Sequence, residues 1–528
     1  MDEAKRPTEE QSGAPPRRTA RLVLPLFVLA AGIWMRWTIA GESLWLDELH
    51  SAWAALGPFG DTAERAAEGN QGPLFFWVLQ LWTEFAGDGT RALRAPSLVA
   101  GGLLLVAMFV AVRRWTSTSI AAVTCLALAA IDKRLLFYST ELRPYACVQL
   151  LGLVHMMLLL EVIRRPTRVR RVGLVLLGAA VFHLHYTAAL LFAAEVVVLL
   201  FAKSLGRGRA QLNPATPTAG DRFPVDYSWW RIAVDAACLA LLLAPSAWQV
   251  LDIGERRQMW SEMTRSLEPA VFWLELRGKQ YLLLPLVAFT LEWFRAPGMQ
   301  LAERRCSPQI WIGCWALALV PLAAAWLATA TELAPLYFPR YYTVAFAGPI
   351  LIAGLTVARY RQPFVRLSLA SALILMSAYP LATSWQRTGR LLTDRREDWR
   401  GAIAWLREEG DRSRPVIVHS GLLEARRKLA EGARGEIYCL FPVTAAYPLT
   451  NSQMAAIDGR LSTSPSAAAA TRRAAEASGA YLIVRGGKRS GDTIAAHLAN
   501  DLGSAMRPKR KPFGPSLGVY AIELPDKR

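Results

Sequence analysis

Apolar runs long enough to span a bilayer recur along most of the chain, separated by short polar gaps. They lie near residues 22–40, 96–112, 118–136, 144–163, 172–187, 188–202, 232–251, 279–295, 309–330, 342–358 and 367–385. A spanning helix needs about 20 mainly apolar residues, so the pattern predicts about eleven transmembrane helices. Pro73 to Phe85 is also apolar but is too short to span and sits between Asn70 and Glu84. It is expected to lie in or dip into the membrane interface.

After Trp385 the pattern changes, and no long apolar run follows. Asp398 to Glu409 has helical periodicity through Trp399, Ile403, Trp405 and Leu406, and Ala467 to Ala477 is Ala-rich and expected to be helical. Pro415 to His419, Tyr481 to Val484 and Gly518 to Leu524 are short β-rich runs, so residues 386–528 read as a small α/β domain. The expected fold class is therefore an α-helical polytopic membrane protein with a C-terminal α/β domain. Residues 1–20 read as a disordered cytoplasmic tail, residues 21–385 as the transmembrane unit, and residues 42–95 as a long loop within it.

Composition agrees: 53% of residues are hydrophobic and 19 are Trp, a residue that favours the headgroup level. The net charge of +18 changes the picture only through its distribution. Basic residues fill every second gap, at Arg113/Arg114, Arg164 to Arg171, Lys203 to Arg231, Arg295 to Arg305 and Arg359 to Arg366. That is the positive-inside arrangement of cytoplasmic loops, and nucleic acid is excluded as a partner. The opposite gaps carry Asp47, Glu48, Asp61, Glu64, Glu68, Glu141, His185, Glu255, Glu262, Glu268 and Glu332. With the N-terminus inside and an odd number of spans, the C-terminal domain is expected outside. The six cysteines show no CxxC and no spacing with His that would hold a metal.

Four polar clusters fall on the expected outer side. They are Asp47/Glu48 with His50 after the first span; Tyr138, Glu141, Arg143 and Tyr145; His183, His185 and Tyr186; and Arg340, Tyr341 and Tyr342. Carboxylates at a bilayer edge are costly to desolvate, and guanidinium suits phosphate through its planar fork of donors. Each cluster also has a plain structural reading, as exposed loop, local ion pair, packing histidine or interfacial anchor. A transporter or flippase, with these groups lining a substrate pathway, is the rival from another class. Neither an internal repeat nor a midplane charge cluster supports it, the deepest charges being the adjacent Asp132 and Lys133.

Taken in order, the motifs resemble the bacterial membrane glycosyltransferases related to protein O-mannosyltransferases and to the aminoarabinose transferases of lipid A. The matching segments are Leu44 to Leu49 with Asp47/Glu48, Gln71-Gly72-Pro73-Leu74-Phe75, and Arg94-Ala95-Pro96-Ser97. They continue with Tyr138-Ser139, Glu141, Arg143 and Tyr145, then His185-Tyr186, Arg340-Tyr341, and Glu397-Asp398-Trp399-Arg400. Gln71 departs from the pattern, standing where a histidine is frequent.

The resemblance implies a GT-C-like fold in the cytoplasmic (inner) membrane and transfer, with inversion, from a polyprenyl-phosphate sugar to a glycan, lipid or protein acceptor. It implies Asp47 as general base with Glu48 orienting a substrate. It implies Arg143 and Arg340 on the donor phosphate, and Glu141, His185, Tyr186, Tyr138 and Tyr341 as substrate-binding residues. A divalent metal on Asp47 and Glu141 is left open, as is a role for Glu141 in holding Arg143.

Overall fold

The computed structural model describes residues 20–212, 227–255, 279–293, 306–393, 397–450, 453–461, 464 and 469–524. The expected tail before Ala20, the whole of the basic gap Arg295 to Arg305, and the acids Glu262 and Glu268 lie outside these residues.

Each of the eleven apolar runs is mainly helical over its described part. Among the described residues, seven helices are long and apolar enough to cross a membrane. They run over Leu22–Ile39, Thr90–Thr116, Tyr145–Arg164, Tyr186–Ser204, Trp229–Glu255, Pro308–Ala330 and Pro363–Thr388, and the chain is a multi-pass membrane protein. Helix Arg168–Leu184 is slightly shorter and opens on Arg168, Arg170 and Arg171. Leu74–Ala86 is a helix whose Phe75, Phe76 and Leu79 face the protein while Trp77, Leu81, Trp82 and Phe85 stay exposed. A helix apolar on its outer face as well suits an interfacial position.

The run expected as one span over 118–136 is instead two helices, Ser119–Ile131 and Lys133–Ser139, broken at Asp132. Asp132 is extended and its Oδ1 accepts from the backbone N–H groups of Arg134 and Leu135, both at 3.0 Å, so it caps the second helix. The end of the first helix is closed by buried Arg36, which donates to the carbonyls of Ala130 at 3.1 Å and Ala129 at 3.2 Å. The adjacent charges at Asp132 and Lys133 therefore mark a capped break. Pro245 falls in the short 3-10 turn Ala244–Ser246, which divides the span Trp229–Glu255.

The C-terminal part folds on a five-stranded sheet, with β1 (Val416–His419), β2 (Met454–Ala456), β3 (Ala480–Arg485), β4 (Lys509–Pro512) and β5 (Leu517–Ile522) in the order β2-β1-β3-β5-β4. β1 runs parallel to β2 and β3, whereas β5 pairs antiparallel with β3 and β4. Helices Trp399–Glu408 and Ala469–Ser478 stand where periodicity placed them. The sequence reading missed β2, β4 and helix Lys488–Asp501, all short or polar. This domain docks directly onto the loop 42–95. The carboxylate of Glu397 accepts from the Leu46 N–H at 3.0 Å, and the Tyr447 hydroxyl accepts from Leu44 N–H at 3.0 Å. Lys428 pairs with Glu68.

Candidate active site

Asp47 and Glu48 sit in the first turn of a helix, Leu46–Ala55, where carboxylates complement the helix dipole. Being adjacent, they point to different sides of the helix and have different surroundings. Glu48 is fully buried. Its oxygens accept from Arg94 Nε at 2.7 Å and Nη2 at 2.5 Å, and from the Leu142 N–H at 2.7 Å. Arg94 spends its remaining donors on the carbonyls of Ala40, Glu42 and Ser43, at 2.9, 2.6 and 3.1 Å. Glu48, expected to orient a substrate, does not line the cavity, and its carboxylate is hydrogen-bonded inside the protein. It acts on the site by holding the segment that carries Leu142 and Arg143.

The Arg-x-Pro-Ser stretch has the same purpose. Ser97 Oγ donates to the Arg143 carbonyl at 2.9 Å, and one turn on, Gly101 leaves room for Ser139. A Cβ at Gly101 would come within 2.3 Å of that of Ser139. Gly72 is likewise fixed by close approach, since a Cβ there would sit 2.5 Å from the His183 carbonyl oxygen.

Asp47 faces a cavity of about 800 Å³ between the membrane helices and the C-terminal domain. Arg340 Nη1 donates to Asp47 Oδ2 at 2.9 Å, and Arg143 Nη2 lies 3.7 Å from the same oxygen. The Arg340 guanidinium also stacks over Phe338 and Tyr341, 4.9 and 5.3 Å from the ring centroids. Among the described residues, Arg143 Nε and Nη1 are buried without a hydrogen-bond partner, an expensive arrangement for a cation unless a ligand completes it. Burial alone would raise the Asp47 pKa. The guanidinium groups of Arg143, Arg340 and Arg485 outweigh it and hold the carboxyl below its ordinary 3.8.

All the expected site residues except Glu48 line this one cavity: Asp47, Tyr138, Glu141, Arg143, His185, Tyr186, Arg340 and Tyr341. Glu141 is buried in the same wall, and its carbonyl accepts from the Arg143 N–H at 2.8 Å. His185 bonds Thr187 Oγ1 through Nδ1 at 2.7 Å and packs against the rings of Tyr145 and Tyr341. Tyr186 donates to Gln249 Oε1 at 2.5 Å, and Gln249 Nε2 donates to the Gln71 carbonyl at 2.9 Å. This ties the loop 42–95 to the helix Ala247–Glu255. His183 holds the neighbouring turn through the Leu242 carbonyl and Ser246.

The residues present do not fit a divalent cation. Both guanidinium groups compete for Asp47, and among the described residues no three His, Cys, Asp or Glu side chains gather as a metal would require. Gln71 adds a neutral amide oxygen and no imidazole to the wall.

Sequence reasoning missed the wall supplied by the C-terminal domain, with Gly421 to Glu424, Tyr438, Phe441 and Arg485. It also left His50 unassigned. His50 lies one turn from Asp47, enclosed by Trp53, Phe76, Tyr438 and Phe441 with ring centroids 5.5–6.5 Å away. Burial first, and the charge of Arg143 second, push its pKa down to about 3, so its ring is neutral.

A family model, dolichyl-phosphate-mannose-protein mannosyltransferase, matches residues 70–212. These include Arg94, Ser97, Tyr138, Glu141, Arg143, His185 and Tyr186, so the resemblance read from the motifs is borne out over that stretch. None of the curated proteins matches this chain. Among solved structures, ArnT from Cupriavidus metallidurans bound to undecaprenyl phosphate is similar over 96% of this chain and 98% of its own, at 12% identity and a TM-score of 0.40. The same protein in the apo state is similar over 94% and 97%, at 11% identity and a TM-score of 0.40.

Proposed function

We propose that this chain is a membrane glycosyltransferase that moves a sugar from a polyprenyl-phosphate donor to an acceptor hydroxyl, with inversion, at the outer face of the cytoplasmic membrane. The observation that carries this reading is the placement of one carboxylate, Asp47, between two guanidinium groups at the head of a cavity. The cavity wall includes apolar side chains from membrane helices, among them Leu190, Val250 and Ile253. A donor with a hydrocarbon tail and an anionic head suits a wall that is apolar on one side and cationic on the other.

In the reaction, the acceptor oxygen forms a bond to the anomeric carbon as the bond from that carbon to the phosphate oxygen breaks. Asp47 takes the hydroxyl proton, and polyprenyl phosphate leaves with the electron pair. Arg143 and Arg340 stabilise the charge that grows on the leaving phosphate. A carboxylate paired with two cations is a weak base. Arrival of the phosphate draws the guanidinium groups toward itself, and Asp47, still sheltered from water, gains basicity. Donor binding thereby prepares the base. Tyr138, Glu141, His185, Tyr186 and Tyr341 shape the sugar's surroundings, and Glu48 acts through the loop it holds.

The alternating basic gaps support an N-terminus in the cytoplasm and a C-terminal domain outside. Purified membranes containing the chain, incubated with a panel of radiolabelled polyprenyl-phosphate sugars, test the reaction. Transfer of label from a donor into an acceptor fraction is the expected result. Movement of intact donor between leaflets with no transfer would favour a flippase instead.

A further inference from the structure

The cavity contains a third arginine, and it comes from the C-terminal domain. Arg485 ends β3 and lines the cavity. Its Nε donates to Glu397 Oε1 at 2.6 Å and its Nη1 to the Gly421 carbonyl at 3.2 Å, while Nη2 makes no hydrogen bond among the described residues. Gly421 has a φ of +63°, and a Cβ there would lie 2.9 Å from the Arg485 carbonyl oxygen, so the turn that faces this arginine requires glycine.

Glu397 is buried, and its other oxygen accepts from Trp399 Nε1 at 2.8 Å and from the Leu46 N–H at 3.0 Å. Leu46 begins the helix that carries Asp47. One carboxylate therefore joins the arginine of the C-terminal domain to the helix start that presents the central acid. A guanidinium oriented on one edge by a buried carboxylate, with a donor left over at a cavity, is equipped to bind an anionic oxygen. The charge of Arg485 already reaches Asp47 alongside those of Arg143 and Arg340. A phosphate has several oxygens to share among such groups, whereas Asp47 has two.

We propose that Arg485 is a third residue binding the phosphate of the lipid-linked donor, supplied by the C-terminal domain and oriented by Glu397, an inference that rests on the phosphate-binding reading of Arg143 and Arg340. Arg485 contacts the donor, and Glu397 is a positioning residue. The C-terminal domain then completes the donor site, and its docking on the loop 42–95 is part of donor recognition.

The test is binding of undecaprenyl phosphate to the full chain in nanodiscs, followed by native mass spectrometry, with melting temperature recorded for each variant. Arg485→Gln is expected to weaken binding by about tenfold or more, the usual effect of losing a hydrogen bond to a charged group. Arg485→Lys should regain part of it, keeping the charge without the fork. Glu397→Gln should weaken binding by a smaller factor. A merely structural Arg485 would lower the melting temperature and leave the dissociation constant of the folded protein unchanged, and that result overturns the proposal. Should Arg485→Gln fail to fold, Arg485→Lys and Glu397→Gln decide the matter, and parent-like binding in both overturns it. Arg143→Gln in the same assay separates the two levels. If it weakens binding and Arg485→Gln does not, only this inference falls; if neither does, the phosphate reading of the cavity falls with it.

Discussion

Glu48 and Arg94 face each other through two parallel hydrogen bonds of 2.7 and 2.5 Å, both side chains fully buried, one residue along the chain from Asp47. The pair joins the helix Leu46–Ala55 to the span Thr90–Thr116, and through Leu142 N–H to the segment bearing Arg143. Removing one partner of a buried ion pair leaves the other charge uncompensated, at a cost of about 3–5 kcal/mol. Glu48→Gln and Arg94→Met should each lower the melting temperature of the detergent-solubilised protein and reduce transfer through loss of folded material. A Glu48→Gln chain that melts like its parent yet transfers nothing would return Glu48 to direct contact with substrate.

Acidity of Asp47 gives a second prediction. Its pKa lies below the ordinary 3.8, so the base form persists as pH falls, and the acid limb of kcat/KM should lie below about pH 4. Arg340→Gln removes one of the two nearest cations while burial, which favours the protonated form, remains. The acid limb should therefore move to higher pH in this variant. Measurement of kcat/KM against pH checks it, and a limb that stays in place would show that the Arg340 charge does not act on the base.

His50 makes a prediction about stability. Its folded pKa of about 3 is below the ordinary 6.5, so between these values the unfolded chain holds a proton that the folded chain does not. The stability associated with neutral His50 is fully present above pH 6.5 and is lost as pH falls toward 3, with a slope of about 1.4 kcal/mol per pH unit. His50→Gln should remove this dependence. Melting curves from pH 7 to 4 in which parent and variant lose stability in parallel would contradict it.

The orientation of the chain is tested at Ser413, exposed in the C-terminal domain. Ser413→Cys should react with an impermeant thiol reagent in intact cells once the outer envelope is opened, above the level of the parent chain. Labelling only after inner-membrane lysis would reverse the orientation drawn from the basic gaps.

What the sequence made legible follows from the range of the forces involved. Spans and their loops are governed by local hydropathy and charge, so the apolar runs became helices and the C-terminal segment an α/β domain. The break at Asp132 was not visible, because an acid that caps a helix and an arginine from another span that closes the preceding one are separated by 96 residues. Ordered motifs placed Asp47, Arg143, His185 and Arg340 in one site. They could not separate Asp47 from its neighbour Glu48, because the difference depends on which side of a helix meets Arg94. Arg485 and Glu397 escaped for the same reason: their pairing spans 88 residues, and the signal available beforehand was only that Glu397 opens a recurrent motif.

The most direct test of the account is transfer by the Asp47→Asn chain, reconstituted in liposomes with the polyprenyl-phosphate sugar that the parent uses. The substitution removes the charge with almost no change of volume, so folding and donor binding should be preserved while transfer falls by about a hundredfold to ten-thousandfold, the loss expected when a general base is removed. Transfer at the parent rate would contradict the assignment of Asp47 as the base.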